Sequence, residues 1–474
     1  MLFPFGGLCV KTPHMSRFST TSAEQIHAAS LSLLADPGIR IENEEVARRL
    51  LTAGAKPGLA PEVIRFPEGL LKDCIASAPS TVFLAGHATR SPLSAQASSS
   101  QIWSVPGMQI FDHGQIRPFT SLDLAGLARL LDRLPSVDGV FGVALSDFPP
   151  GTGDVVGLRI LAENTRKHIR VLCFTPRGAD VLCVMNRVFA DSPRFSIGFT
   201  AHGPLRWTHL ALEIFKRTAG HGIPVSLNGE PMAGVSGPVT LAGAAAVGNA
   251  EILAGLIVNQ VLEPGRPCIH NLGLAHVFDM RSAVAVTGGP ENHLFAGIGA
   301  ALGRYYNLPS CSWVSTESLQ PDAQAGLEKM AGFMTHLQQG VSLIWGVGQL
   351  ESELTLSPAQ AVIDDEIIGY ARRILRGAEV SEESLALPVI REVGIAGNYL
   401  EHDHTLLNFR SELFEPSILC RQRRPLWQEQ GSRSLSEVAE ENACALMAQP
   451  VDSGLTEDQH RELHRIEADF LALK

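Results

Sequence analysis

The residues able to do chemistry fall in short clusters behind apolar, strand-like runs. Asn228-Gly229-Glu230 follows one such run, and His270-Asn271 ends the next, with His276 and Phe278-Asp279-Met280-Arg281 just beyond. Trp313 closes a third, ahead of Glu317 and Asp322-Ala323-Gln324, and Trp345 closes a fourth, ahead of Gln349-Leu350-Glu351-Ser352-Glu353. Carboxylates and aromatic faces suit a cationic ligand, and an arginine can grip a carboxylate in a forked geometry. Each cluster alone reads as an ordinary loop. Their recurrence at equivalent strand ends is the stronger signal.

Other chemistries find less support. Glu401-His402-Asp403-His404 is dense in metal-ligating types, but it has no third ligand at diagnostic spacing and no H-E-x-x-H pattern. A structural or substrate-contacting histidine pair is the expectation there, and no bound metal is expected. The G-x-S-x-G nucleophile elbow is absent, as are the phosphate-loop and dinucleotide fingerprints. Gly234-Val235-Ser236-Gly237 could hold an anion at a helix N-terminus, but the Gly/Ala-rich stretch that follows it reads as close helix–sheet packing. The eight cysteines are scattered without a C-x-x-C pair, which suits buried, reduced thiols.

The elements that would position these residues alternate. Strand candidates at 139–144, 171–175, 195–200, 224–227, 268–272, 310–314 and 343–345 are separated by helical segments such as 239–262 and 321–339. Strands separated by helices imply right-handed βαβ units, and seven of them favour a closed TIM-type (β/α)8 barrel, with one strand left unplaced. In such a barrel, function gathers at the C-terminal ends of the strands. Before the barrel, the sequence predicts a helical cap. Thr21-Ser22-Ala23-Glu24 forms a capping box ahead of a helix with Ile26, Ala29 and Leu33 on one face. Asp36-Pro37-Gly38 stops that helix. Asn43 opens a second helix ending at Gly54, and Pro67 a third running to about Ala78. Residues 89–100 read as an exposed loop. The expected organisation is a cap and entry segment at 1–110, an α/β barrel at 111–420, and a helical tail at 421–474 packed on the barrel or a partner subunit.

Composition bounds the partners. With 38 Lys and Arg against 49 Asp and Glu, the formal net charge of −11 offers no general attraction to nucleic acid or an anionic bilayer. No run of 18 apolar residues predicts a membrane span. The apolar residues 1–10 lack a basic flank and a cleavage site, so they do not read as a signal peptide, and a cytoplasmic location is expected.

The order of several longer motifs is more specific. Ser236-Gly237-Pro238-Val239-Thr240-Leu241-Ala242-Gly243 and Asn249-Ala250-Glu251-Ile252-Leu253-Ala254-Gly255 come first. Asp279-Met280-Arg281, Pro321-Asp322-Ala323-Gln324-Ala325-Gly326-Leu327-Glu328-Lys329 and His404-Thr405-Leu406-Leu407-Asn408-Phe409-Arg410 follow. With the opening Ala28-Ala29-Ser30-Leu31 and Gly38-Ile39-Arg40-Ile41-Glu42-Asn43-Glu44, the chain from near residue 20 onward resembles the trimethylamine methyltransferase family.

The resemblance implies an α/β barrel that moves a methyl group from an amine to the cobalt of a separate, cognate corrinoid (cobalamin-carrying) protein. Founding members use pyrrolysine. This chain has only standard residues and resembles the branch acting on quaternary amines such as glycine betaine. It departs from the family pattern at Gln349–Thr355, where relatives often carry a glycine-rich segment, and at Trp345, where a smaller or histidine side chain is expected.

A quaternary ammonium already carries a neutral amine leaving group and cobalt(I) is a strong nucleophile, so the protein's task is orientation and charge recognition. Each ring face then contributes about 0.5–2 kcal/mol. The expected substrate contacts are Asn228, His270, Asp279, Arg281, Trp313, Gln324, Trp345, Tyr399 and His404, with Glu351 as the catalytic counter-charge and Arg281 on a substrate carboxylate. A homo-oligomer is expected. The alternatives are a metal-dependent barrel hydrolase using His402 and His404, and a catalytically silent betaine binder.

Overall fold

The computed structural model describes residues 17–86, 90–97, 99–189 and 193–472, so the expectations for residues 1–10, including Cys9, lie outside it. Eight parallel strands close into a barrel: β1 (Gln101–Ser104), β2 (Gly139–Phe141), β3 (His168–Arg170), β4 (Phe195–Ala201), β5 (Val225–Gly229), β6 (Cys268–Gly273), β7 (Ser310–Trp313) and β8 (Leu343–Val347). β8 pairs with β1, and β1 meets β2 through Trp103 and Gly139. The chain thus folds as the (β/α)8 barrel that the alternation predicts.

Three boundaries differ from the sequence reading. The strand left unplaced is β1, which lies upstream of residue 111, so the barrel starts inside the segment assigned to the cap. Only four residues long and preceded by a polar stretch, it carries little period-2 signal. Second, β3 occupies His168–Arg170 rather than 171–175, because the apolar run there continues past the strand into its loop. Third, Arg90–Ser94 is not a loop. It pairs antiparallel with Thr81–Ala85. That hairpin lies across the N-terminal end of the barrel, where its Ala85 and Ser94 carbonyls accept from His168 Nδ1 at 3.0 Å and Ser342 Oγ at 2.9 Å.

Among the described residues the cap contains three helices, α1 (Thr20–Ala35), α2 (Glu44–Thr52) and α3 (Glu68–Ser77), with short strands between them. Ser19 caps α1 through the Ser22 N–H, so the expected capping box at Thr21–Glu24 lies inside the helix. Asn43 caps α2 through the Val46 N–H at 3.1 Å. The barrel helices are α4 (Ser121–Arg133), α5 (Gly153–Asn164), α6 (Pro176–Val188), α7 (His209–Thr218), α8 (Leu241–Leu262), α9 (Pro290–Tyr306), α10 (Ala323–Gln339) and α11 (Pro358–Arg376). By length and composition α8 passes for a membrane span, but 78% of its apolar window is buried inside the protein, against β5, β6 and the cap helices.

Past α11 the barrel is complete, so its expected limit at 420 is too late. Residues 377–434 form an arm of short helices, including Leu387–Val393 and Asp403–Glu412, neither of which buries a residue. The chain then returns: Leu435–Ala448 packs on α4 and α11, and Glu457–Ala472 on α5 and α6.

Candidate active site

Side chains alternate across each strand, so every second residue of the barrel points inward. At the C-terminal end this brings Phe141 (β2), Arg170 (β3), Asn228 (β5), Trp313 (β7) and Trp345 (β8) around a cavity of about 280 Å³, which Phe199 and Glu353 also line. Phe141 stands edge-on to Trp345 with ring centroids 4.9 Å apart. Trp313 Nε1 donates to Gln349 Oε1 at 3.0 Å, and Gln349 Nε2 donates to Ser315 Oγ at 2.9 Å, which fixes that indole. Asn228 is held from three strands. Its Oδ1 accepts from Ser226 Oγ at 2.7 Å and Asn271 Nδ2 at 3.0 Å, and its Nδ2 donates to Thr200 Oγ1 at 3.3 Å.

The acidic side of the mouth comes from the loop after β8. Gln349–Leu350 and Thr355–Leu356 pair as a tight hairpin. Its tip, Glu351-Ser352-Glu353, has φ values of 52°, 49° and 83°. Three successive non-glycine residues in left-handed conformations cost roughly 1–3 kcal/mol each and persist only where the surroundings over-determine them. Here Glu351 N donates to the Ser318 carbonyl at 2.9 Å and Ser352 N to the Thr316 carbonyl at 3.0 Å. Ser352 Oγ donates to Glu317, whose other oxygen accepts from the Thr287 and Gly288 N–H groups.

The tip turns Glu351 back onto Thr355 Oγ1 at 2.7 Å and sends Glu353 into the cavity. Glu353 is exposed at the rim of the cavity, and desolvation by the protein around its carboxyl pushes its pKa up to about 7. Glu230, just after β5, is pushed up to about 8 by burial and then by the negative charges of Glu353 and Glu251. Burial raises Glu251 to about 7, and its Oε1 accepts from Leu205 N at 2.8 Å.

Arg170 lines the same cavity as Glu353. It is 4% exposed and stacks 5.7 Å from the Phe141 centroid and 6.0 Å from that of Trp345. Gly198 makes room for it, since a Cβ there would lie 2.4 Å from Arg170 Nη2. Burial lowers its pKa to about 9, which leaves it charged at neutral pH.

Of the expected residues, Asn228, Trp313 and Trp345 line the cavity, and the others do not. His270 occupies the outward position of β6 while Asn271 takes the inward one. His270 Nε2 donates to Asn249 Oδ1 at 2.9 Å, and Asn249 Nδ2 donates to Ser30 Oγ and Tyr306 Oη at 2.9 Å, which ties the barrel to the cap. Burial pushes His270 down to about 4, so it is neutral there. Asp279 accepts from Arg281 N at 3.0 Å and from Ser282, closing a turn on which Arg281 is exposed. Gln324 is exposed and donates to Glu328 Oε1 at 3.1 Å.

Tyr399 and His404 lie on the arm. There His402 Nδ1 caps a helix by accepting from His404 N at 3.0 Å. Among the described residues, the metal-ligating types that gather within 4.8 Å are Asp112, His113 and Glu440, not the His402–His404 pair.

Sequence reasoning missed Phe141, Arg170 and Phe199, and named Asn271 and Glu353 in its clusters without choosing them as contacts. The polar His168 and Arg170 alternating around Ile169 were a readable signal, hidden by the stronger apolar run after them.

The family model for trimethylamine methyltransferase (MTTB) matches residues 6–472. The trimethylamine methyltransferase MttB of Desulfitobacterium hafniense is 30% identical, over 91% of this chain and 89% of that protein. A glycine betaine methyltransferase of Desulfitobacterium hafniense is 26% identical, over 88% of this chain and 89% of that protein. The crystal structure of the Methanosarcina barkeri monomethylamine methyltransferase (MtmB) superposes with a TM-score of 0.52 at 13% identity, covering 94% of this chain and 87% of that one, and shares the fold. The chain belongs to the trimethylamine methyltransferase family.

Proposed function

We propose that the chain takes a methyl group from a quaternary ammonium compound and passes it to the cobalt(I) of a separate corrinoid protein. The observation that carries this reading is a cavity at the barrel mouth with aromatic walls and a carboxylate, Glu353, at its opening. Aromatic faces attract a permanent cation through their quadrupole, and Glu353, when ionised, supplies opposite charge.

The transfer balances without a proton. The methyl carbon leaves nitrogen, the amine keeps the nitrogen–carbon electron pair, and the cobalt(I) pair forms the new cobalt–carbon bond. The chain's own residues need only hold the nitrogen–methyl axis toward the mouth and exclude water. A partner-borne methyl acceptor needs a docking surface, and the loops around the mouth supply exposed apolar side chains: Met108, Leu122, Val235, Val239, Met280 and Leu319. The 26% identical glycine betaine methyltransferase supports a betaine-like donor. The buried free thiols Cys74, Cys173, Cys183, Cys268 and Cys311 suit a reducing cytoplasm.

Spectroscopy tests the reading. The protein and a quaternary amine alone should give no demethylation, and adding the reduced corrinoid protein should convert the cobalt(I) spectrum to that of methylcobalt. If cobalt(I) persists with every quaternary amine tried, one of which demonstrably binds, the chain is a silent binder instead.

A further inference from the structure

Arg170 is a buried cation with no counter-charge. Its Nη1 donates to the Val171 and Ser196 carbonyls at 3.1 and 3.5 Å, while its Nε is buried with no partner. None of the ion pairs among the described residues includes it, and no carboxylate is among the groups that act on its charge. A guanidinium taken out of water is costly unless an anion and hydrogen bonds compensate it. Arg170 also lines the cavity, as does Trp345, whose indole Nε1 is likewise buried without a partner. Two lining side chains with unpaired donors, one of them charged, suit a planar two-oxygen acceptor.

We propose that Arg170 is the receptor for a carboxylate on the substrate, so that the cavity selects zwitterionic quaternary ammonium acids over carboxylate-free quaternary amines. The proposal rests on the methyl-transfer reading and deepens it by orienting the donor. Arg170 sits at a strand end inside the barrel and Glu353 on the loop beyond it. A ligand bridging them places its carboxylate inward and its methylated nitrogen at the mouth. The positive guanidinium also repels the cationic end from the floor. The expected role of Arg281 as the carboxylate grip thus passes to Arg170, since Arg281 is on an exposed turn outside the cavity.

The test titrates the full chain with glycine betaine, choline, tetramethylammonium and acetate, following tryptophan fluorescence, because Trp313 and Trp345 line the cavity. Glycine betaine should bind at least tenfold more tightly than choline, and acetate should compete with it. Arg170→Met should bring the two quaternary amines within about twofold of each other. It should also raise the melting temperature of the unliganded protein, an effect that a purely structural arginine would reverse. Equal binding of betaine and choline by the wild type, discrimination that survives Arg170→Met, or no binding of any of the four overturns the proposal. Should Arg170→Met not fold, the wild-type ranking and acetate competition still decide. Methyl transfer from choline as fast as from betaine sinks the carboxylate receptor and leaves the transferase reading intact. Arg170-dependent betaine binding with no transfer to cobalt(I) does the converse.

Discussion

Trp313 in the barrel is 2% exposed with its indole nitrogen tied to Gln349, whereas Tyr399 in the arm is 40% exposed. Tyr399 accepts hydrogen bonds through its backbone carbonyl, from His402 N and Thr405 Oγ1. The two regions carry equally suggestive residue types in sequence, His402 and His404 included. In the barrel each inward side chain is fixed by a strand that is itself flanked by two others, so residue type becomes site geometry. In the arm, Ile395, Leu400, Leu406 and Leu407 leave most of their apolar surface in solvent, so they enclose no small-molecule site.

The sharpest cut between facing the cavity and facing away from it falls within β6. His270→Ala removes the donor to Asn249 and should cost about 1–3 kcal/mol of stability in chemical denaturation, while donor affinity stays unchanged. Asn271→Ala should do the opposite, weakening donor binding several-fold through Asn228. Should His270→Ala abolish binding in a folded protein, the alternation assigned to β6 is wrong.

The next effect is on pH dependence. Folding raises the pKa of Glu353 from the ordinary 4.5 to about 7 and that of Glu230 to about 8. The folded state therefore holds protons that the unfolded chain releases above about pH 4.5. By linkage, the contribution of these two groups to stability is fullest below that value and is lost as pH rises toward 8. Binding of a permanent cation runs the other way, since it needs the carboxylates ionised. Its affinity should rise about tenfold from pH 6 to pH 8, and Glu353→Gln should flatten that rise. A wild-type titration that is flat over this range removes Glu353 from cation recognition.

The smallest effect belongs to the arm. Leu406→Glu with Leu407→Glu should change the stability of the barrel by less than about 0.5 kcal/mol, as surface substitutions do. In analytical ultracentrifugation the same pair should convert a self-associating wild type to a smaller species. A wild type that is monomeric at all concentrations refutes the arm as an oligomer contact.

How far the sequence could be read follows from the length of each periodic signal. α8, α10 and strands β4, β5, β6 and β8 are long enough for their patterns to fix type and place. β1, with four residues behind a polar stretch, is not. At the site, Trp313, Trp345 and Asn228 were legible because a strand end points one way or the other. The same two-residue period turns a one-residue choice between His270 and Asn271 into the wrong face of the barrel. Glu351 and Glu353 could not be told apart in advance. Their directions depend on three left-handed residues held by Ser318, Thr316 and Glu317, contacts made far along the chain.

The most direct measurement is a crystal structure of the protein with glycine betaine bound. The trimethylammonium group should lie among Phe141, Trp313 and Trp345 with a methyl group directed at the mouth, and the carboxylate should meet Arg170. Density for the ligand on the arm beside Tyr399 and His404, or at Arg281, with the barrel cavity filled only by water, would contradict the assignment of the mouth as the methyl-donor site.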